Sequence, residues 1–310
     1  MRFMSKDLRI VFLGTPDFAA TTLKKLAEND INVVAVITAP DKPKGRGKKL
    51  GTSAVKDYAV EADLPVLQPT NLKSGAFLAE LRSFKADVQI VVAFRMLPVA
   101  VWDMPPMGTF NLHASLLPHY RGAAPINWAI INGEKETGVT TFFLKHEIDT
   151  GEIIFQEKEP ILENDNIGTL YERLMHKGAD LVLKTVHAIQ EGDYPQIPQE
   201  TPSELKSAPK IFKEDCKINW DQPASKVRDF IRGLSPYPAA WTKLDGKVFK
   251  IFESEITERK SKVPGDFEVE KNELFINCLD TQLQITELQM EGKRRMKAEE
   301  FLRGYSLGSK

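Results

Sequence analysis

Through its first half the chain alternates short apolar runs with segments of helical period. Residues 8–14 (LRIVFLG) are an apolar run closed by Gly14, as a buried strand would be. Residues 15–29 follow with helical spacing, which places Thr15 as the N-cap and Pro16 at the first helical position. The alternation continues with strands at 31–38, 64–69, 86–94 and 108–115 and helices at 53–63 and 74–84. A helix at 124–131, a strand at 138–144, a tight turn at 149–151 and a long helix at 167–191 complete it. This β-α-β rhythm predicts a Rossmann-like, mostly parallel sheet with helices on both faces.

Residues 192–209 change character. Pro195, Pro198, Pro202 and Pro209 fall within this stretch and predict an extended, semi-rigid connector. Beyond it a helix at 223–232 precedes closely spaced alternating segments: AAWTKL, KVFKIFESEI, DFEVE, ELFINCL and LQITELQM. Strands at that spacing with no helix between them predict a small β-barrel of the oligonucleotide-binding (OB) type. The expected organisation is an α/β domain over 1–191, a Pro-rich linker over 192–209 and an OB-like barrel domain over 210–310.

Composition narrows the picture without deciding it. At 310 residues, 42% apolar and 27% charged, the chain has room for two ordinary globular domains. A net charge of −1 gives no global attraction to nucleic acid or anionic lipid, so electrostatic steering must be local. One local patch exists: Lys42, Lys44, Arg46, Lys48 and Lys49 crowd the segment DKPKGRGKKL. Cys216 and Cys278 lie far apart and form no Cys-x-x-Cys, which argues against a zinc site and a disulfide framework. MRFMSKDLRI carries no apolar leader core and the longest apolar runs are strand length, so a cytosolic protein without a membrane span is expected.

Three stretches carry candidate chemistry. In FNLHASLLPHYRGAAP, Asn111 and His113 stand two apart at the end of a strand, hence on one side of it. In a parallel sheet that is where ligands bind, although an amide and an imidazole there could equally cap backbone. Asp149 in KHEIDTGEII could orient an imidazole, or simply make an Asx-turn before Thr-Gly. The Asp-Thr-Gly of an aspartic protease occurs twice per site, and this chain has no second copy. The basic loop lacks P-loop spacing and no Gly-x-Gly-x-x-Gly follows the first strand, which lowers a dinucleotide reading. It is either a phosphate-backbone contact made pliable by Gly45 and Gly47 or a solvated basic loop.

Taken together, GTPDFA, DKPKGRGKKL, NLHASLLPHYRGAAP and DTGEI resemble the folate-dependent formyltransferases. The later segments INW, IRGLSPYP and GKRRM look like the members of that family that act on initiator tRNA. The resemblance runs over about residues 8–304 and rests on the combination. It implies a catalytic set of Asn111, His113 and Asp149, with Asp149 holding His113 charged. It implies a folate-facing turn of Ser115, Leu116, Leu117 and Pro118, and 10-formyltetrahydrofolate as formyl donor with no metal. It also implies methionyl initiator tRNA as acceptor, met by Lys42, Lys44, Arg46, Lys48 and Lys49 and by the C-terminal barrel of a monomer. Where the family commonly has Ala-Tyr-Gly followed by Ile-Leu-Pro, this chain has AFRMLP at 93–98, a change in the wall of the folate pocket. An amino-sugar nucleotide or other small amine as acceptor, simple release of formate, and a non-catalytic tRNA-binding protein are the competing readings.

Overall fold

The apolar runs become the strands of one sheet, and the structure, a computed structural model, describes residues 7–44, 49–200 and 203–308. β1 (Ile10–Gly14) leads through α1 (Asp17–Ala27) to β2 (Val33–Ile37). A ribbon of β3 (Lys42–Lys44) and β4 (Lys49–Gly51) precedes α2 (Ala54–Glu61), β5 (Val66–Leu67), α3 (Gly75–Ser83) and β6 (Val88–Val92). Then come α4 (Val99–Trp102), β7 (Thr109–His113), β8 (Arg121–Gly122), α5 (Pro125–Ile131), β9 (Glu136–Phe143), β10 (Ile153–Pro160), α6 (Ile167–Glu191) and β11 (Ser207–Ala208). Chain packing divides these into two units. One holds the residues to 121 with 138–159 and 172–206; the other holds 122–137, 160–171 and everything from 207 on.

The first unit is built on a seven-stranded sheet of order β10-β9-β7-β6-β1-β2-β5. β1 pairs in parallel with β2 and β6, and β6 in parallel with β7, while β9 returns antiparallel on β7. Every residue of β1 and of β6 is buried, as strands covered on both faces require. Phe77 and Leu81 of α3 and Val101 of α4 pack with Val11, Leu13 and Val91 on one face. On the other, α6 approaches so closely that a Cβ on Gly178 would lie 2.8 Å from Leu112. Because the chain moves to one side of β1 for β2 and β5 and to the other for β6 and β7, the carboxyl ends of β1 and β6 form a topological switch point, where sheets of this kind bind ligands.

The second unit holds α7 (Ala224–Leu234), β12 (Ala240–Leu244), β13 (Lys247–Lys260), β14 (Phe267–Glu270), β15 (Glu273–Asn277), β16 (Thr281–Met290), β17 (Met296–Lys297) and α8 (Ala298–Gly304). Six of its strands, β12 to β17, pair antiparallel in the order β12-β13-β16-β15-β14, with β17 also on β16. Val227, Ile231 and Leu234 of α7 and Phe301 of α8 close the core over Phe249, Ile251, Leu274, Ile276 and Leu283. The Asp280 carboxylate accepts from Ala224 N at 2.7 Å and so caps α7 from a distant turn, since Pro223 offers no capping side chain. Arg232, 9% exposed, pairs with Asp229 at 2.7 Å and donates to the Asp165 carbonyl at 2.9 Å. Among the described residues, no helix is long and apolar enough to cross a membrane.

Three expectations need adjusting. Helix α1 starts one turn position later than Thr15 and Pro16 suggest. Pro16 is extended (ψ 179°) and its carbonyl accepts from Ala19 and Ala20, so Pro16 is the cap and Asp17 opens the helix. The basic loop is flanked by the β3–β4 ribbon rather than being loop throughout. Residues 192–206 pack onto the first unit as part of it. Ile197 exchanges two backbone hydrogen bonds with Ile153 (2.8 and 2.9 Å), and Tyr120 N donates to Lys206 O at 2.6 Å. An extended proline-rich backbone makes no hydrogen bonds with itself, so its peptide groups are available to neighbouring edges.

Candidate active site

β7 carries the polar pair at its carboxyl half. Asn111 sits in register with Val91 of β6, and His113 opposite Thr140 of β9. Period-2 alternation turns Phe110 and Leu112 into the core on one face and Asn111 and His113 to the other. Asn111 is half-buried, and its side chain has no hydrogen-bond partner among the described residues, leaving the amide free to donate. His113 is 6% exposed and its ring is held from both sides. Nε2 lies 2.8 Å from the carbonyl of Tyr120, which can only accept, so Nε2 carries a proton. Nδ1 faces the Asp149 carboxylate at 3.9 Å.

Asp149 reaches this point on the turn between β9 and β10. The turn is forced tight: a Cβ on Gly151 would lie 1.5 Å from the Phe143 carbonyl, so only glycine fits. Asp149 itself is left-handed (φ 55°), a conformation costing a non-glycine residue about 1–2 kcal/mol. Two hydrogen bonds to the carbonyls of Asp149 and Gly151, at 2.9 and 2.8 Å, offset that cost at about 1 kcal/mol each. Both come from Nε2 of Gln199. Its Oε1 in turn accepts from Arg121 Nε at 3.2 Å and Nη2 at 2.6 Å.

Residues 115–118 form a turn whose frame is a buried hydroxyl. Thr140 Oγ1 donates to Ser115 O (2.6 Å) and accepts from Leu117 N (3.3 Å) and Gln156 Nε2 (3.0 Å), while Gln156 also donates to Leu117 O (2.8 Å). Ser115 is fully buried with Oγ donating to His119 O, and Leu117 packs on Phe142 and Ile153. Leu116 and Pro118 are half-exposed. Thus two of the four side chains build the turn and two are placed where a ligand could touch them.

The remaining expected positions fall in two places. Lys42 is exposed on β3, and Lys44 and Lys49 are paired across the ribbon; Arg46 and Lys48 lie outside the described residues. Lys56 (2.5 Å) and Gln68 (2.8 Å) both bond Asp41 at the foot of the ribbon. Gln68 first and then Lys56 hold the Asp41 carboxyl below its usual range. In 93–98, Arg95 donates to the carbonyls of Pro69 and Thr70 and lies 5.7 Å from the Phe94 ring, so the substituted residue ties this segment down. Met96 is 76% exposed beside it. Among the described residues no three His, Cys, Asp or Glu side chains cluster as metal ligands.

Sequence reading missed Tyr120, Arg121 and Gln199. The Tyr-Arg-Gly triplet marks a turn, but nothing in it says that the Tyr120 carbonyl will hold an imidazole. Gln199 stands in a segment with no periodicity to read.

Residues 8–186 match the formyl transferase family and 210–306 match the formyl transferase C-terminal domain. The chain is 56% identical to a methionyl-tRNA formyltransferase of Bacteroides fragilis over 312 residues, covering 97% of this chain and 96% of that one. Among solved structures it resembles an N-formyltransferase of Helicobacter canadensis bound to folinic acid and dTDP-3-aminofucose. There the TM-score is 0.67 at 22% identity, over 93% of this chain and 100% of that one. It also resembles HypX of Aquifex aeolicus in complex with tetrahydrofolic acid (TM-score 0.65, 22% identity, 98% of this chain and 49% of that one).

Proposed function

The chain belongs to the formyl transferase family, and from that premise we propose that it moves the formyl group of 10-formyltetrahydrofolate onto the α-amine of methionyl initiator tRNA. The observation that carries the reading is the approach of Asp149 to His113 at the carboxyl end of β7, two residues on from Asn111, in a chain similar over 97% of its length to a methionyl-tRNA formyltransferase.

The formyl donor supplies an electrophilic carbon. As the amine adds to it, negative charge collects on the formyl oxygen and a proton leaves the amine; the tetrahedral adduct then collapses with cleavage of the bond between the formyl carbon and the folate nitrogen, which takes up a proton as tetrahydrofolate departs. The Asn111 amide and a His113 N–H are the donors for that oxygen, and preorganised donors of this kind are worth about 3–4 kcal/mol each in the transition state. Because Nε2–H is committed to the Tyr120 carbonyl, the N–H aimed at the formyl oxygen is Nδ1–H of a protonated His113. The Asp149 carboxylate facing Nδ1 stabilises that cation and, through water, takes the proton the amine gives up. Leu116 and Pro118 offer apolar contacts that fit a pterin, and the turn carrying them is already framed by Thr140.

The second unit answers to the size of the acceptor. A cavity of about 650 Å³ within it is lined by Lys210, Lys213 and Lys250 beside Trp241 and Tyr237, a mixture suited to phosphates and stacked bases. In this reading it receives the tRNA body, while the basic segment of Lys42, Lys44, Arg46, Lys48 and Lys49 meets the acceptor arm. The chain works as a monomer in the cytoplasm.

Formyl transfer from 10-formyltetrahydrofolate to methionyl initiator tRNA, free methionine and an amino-sugar nucleotide tests this directly. Product with the charged tRNA alone is expected; product with the sugar, or formate released with no acceptor, would overturn the assigned acceptor. Arg46→Ala should raise KM for the tRNA about tenfold, one phosphate contact's worth or so, and leave folate binding near normal. Equal loss of both would remove that segment from the tRNA interface.

A further inference from the structure

Two turns hold the catalytic pair, and one side chain joins them. The first turn contains Tyr120, whose carbonyl fixes Nε2 of His113, and Arg121 follows it directly. The second, 149–151, presents the Asp149 carboxylate. Gln199 lies between: its amide nitrogen bonds both carbonyls of the second turn and its amide oxygen accepts a two-pronged contact from Arg121. Its chain neighbours Pro198 and Glu200 are exposed, so within this stretch Gln199 is the side chain turned inward. Backbone anchors flank it on either side, Ile197 on Ile153 and Lys206 on Tyr120.

We propose that Gln199 is a positioning residue for the catalytic pair: it sets the Asp149 carboxylate against His113 by clamping the 149–151 turn, with Arg121 dictating which way its amide faces. This rests on the reading of His113 and Asp149 as catalytic residues. The chemistry of the amide makes the proposal specific. Guanidinium N–H groups only donate, so they select the oxygen of Gln199 and leave its N–H groups for the two carbonyls. A glutamate of the same shape keeps the Arg121 contact, strengthened by charge, and turns its other oxygen against two carbonyl oxygens. The clamp then becomes a repulsion while the anchor on Arg121 survives.

The test compares wild type, Gln199→Glu and Gln199→Met in steady-state formylation of methionyl-tRNA, with folate affinity and thermal midpoint measured alongside. We expect kcat to fall about 30- to 100-fold in both variants, the scale of an ångström's misplacement of a reacting group. KM for the tRNA and folate affinity should stay within about twofold, since neither ligand touches Gln199 in this reading. In single-turnover reactions of Asp149→Ala, adding Gln199→Glu should cost less than about a further twofold, because the group being positioned is gone. If Asp149→Ala is too slow to measure, Asp149→Asn, which also removes the carboxylate, supplies the background.

A folded Gln199→Glu with wild-type kcat overturns the proposal, as does a full additional loss in the Asp149 variant, or a rise in KM with kcat intact. Should Gln199→Glu fail to fold, the kcat and KM of Gln199→Met decide alone. Absence of turnover in the wild type itself would instead overturn the functional reading.

Discussion

The two sheets of this protein treat polar residues in opposite ways. In the first unit, β1 and β6 are buried at every position. In the second, β13 alternates, so that Phe249, Ile251 and Phe252 are buried while most of its remaining residues face outward. A polar side chain is out of place on a strand covered on both faces, so each one found there stands out. Gln89 and Thr109 contact one another near the amino ends of β6 and β7; Asn111 and His113 stand at the carboxyl half of β7. On an alternating strand a polar residue at every second position is normal and signals nothing. The site could therefore be read in one sheet, whereas the second unit offered only a fold class.

The sharpest test of that contrast substitutes one residue in each sheet. Phe110→Ala removes a fully buried ring from β7 and should cost about 3–5 kcal/mol of stability by chemical denaturation, with catalytic geometry a secondary casualty. Ile256→Ala on β13, where the side chain is 48% exposed, should stay within about 0.5 kcal/mol. Comparable costs at the two positions would break the comparison. Next in size comes His113→Ala. It should lower kcat by roughly 10²–10³, equivalent to about 3–4 kcal/mol in the barrier, while tRNA affinity stays near that of wild type. Near wild-type turnover would take His113 out of the chemistry.

Legibility followed the same physics. The order of strands and helices in the first unit could be read because a strand buried on both faces is an uninterrupted apolar run, and α6 falls at 167–191 as its spacing predicts. Asn111, His113 and Asp149 could be named from motifs, and the structure brings Asp149 to His113 across a turn whose glycine the sequence displays. What could not be read was the support. Tyr120 acts through its carbonyl, which every residue has. Thr140 is one threonine in a β-strand, where threonine is ordinary. Gln199 depends on a proline-rich segment packing against the site, and extended chain carries no periodic signal to announce that. Ser115 and Leu117 belong to the motif too, and what the motif did not announce is that their side chains build the turn.

The smallest expected effect comes from the second unit and concerns a residue that invites misreading. Cys278 follows β15, is fully buried, and its thiol is pushed up to about 12 by burial, with the nearby Asp280 carboxylate acting in the same direction. Cys216 is likewise buried and its thiol is raised, again by burial first. Neither is a nucleophile, since the thiolate is the reactive form and both sites disfavour it. The linkage has a definite sign. Unfolded, Cys278 releases its proton near its ordinary value of 9.0, while folded it keeps that proton until about 12. The folded state thus binds more protons between those values, so the stability this group contributes is complete below pH 9.0 and is lost as pH climbs toward about 12. Denaturation of wild type and Cys278→Ala at about pH 8 and about pH 10.5 isolates the group from other titrations. Wild type should lose more stability between the two conditions than the variant does. Equal losses would mean that the thiol ionises as freely inside the fold as outside it, and that this end of the antiparallel core is wetter than its packing implies.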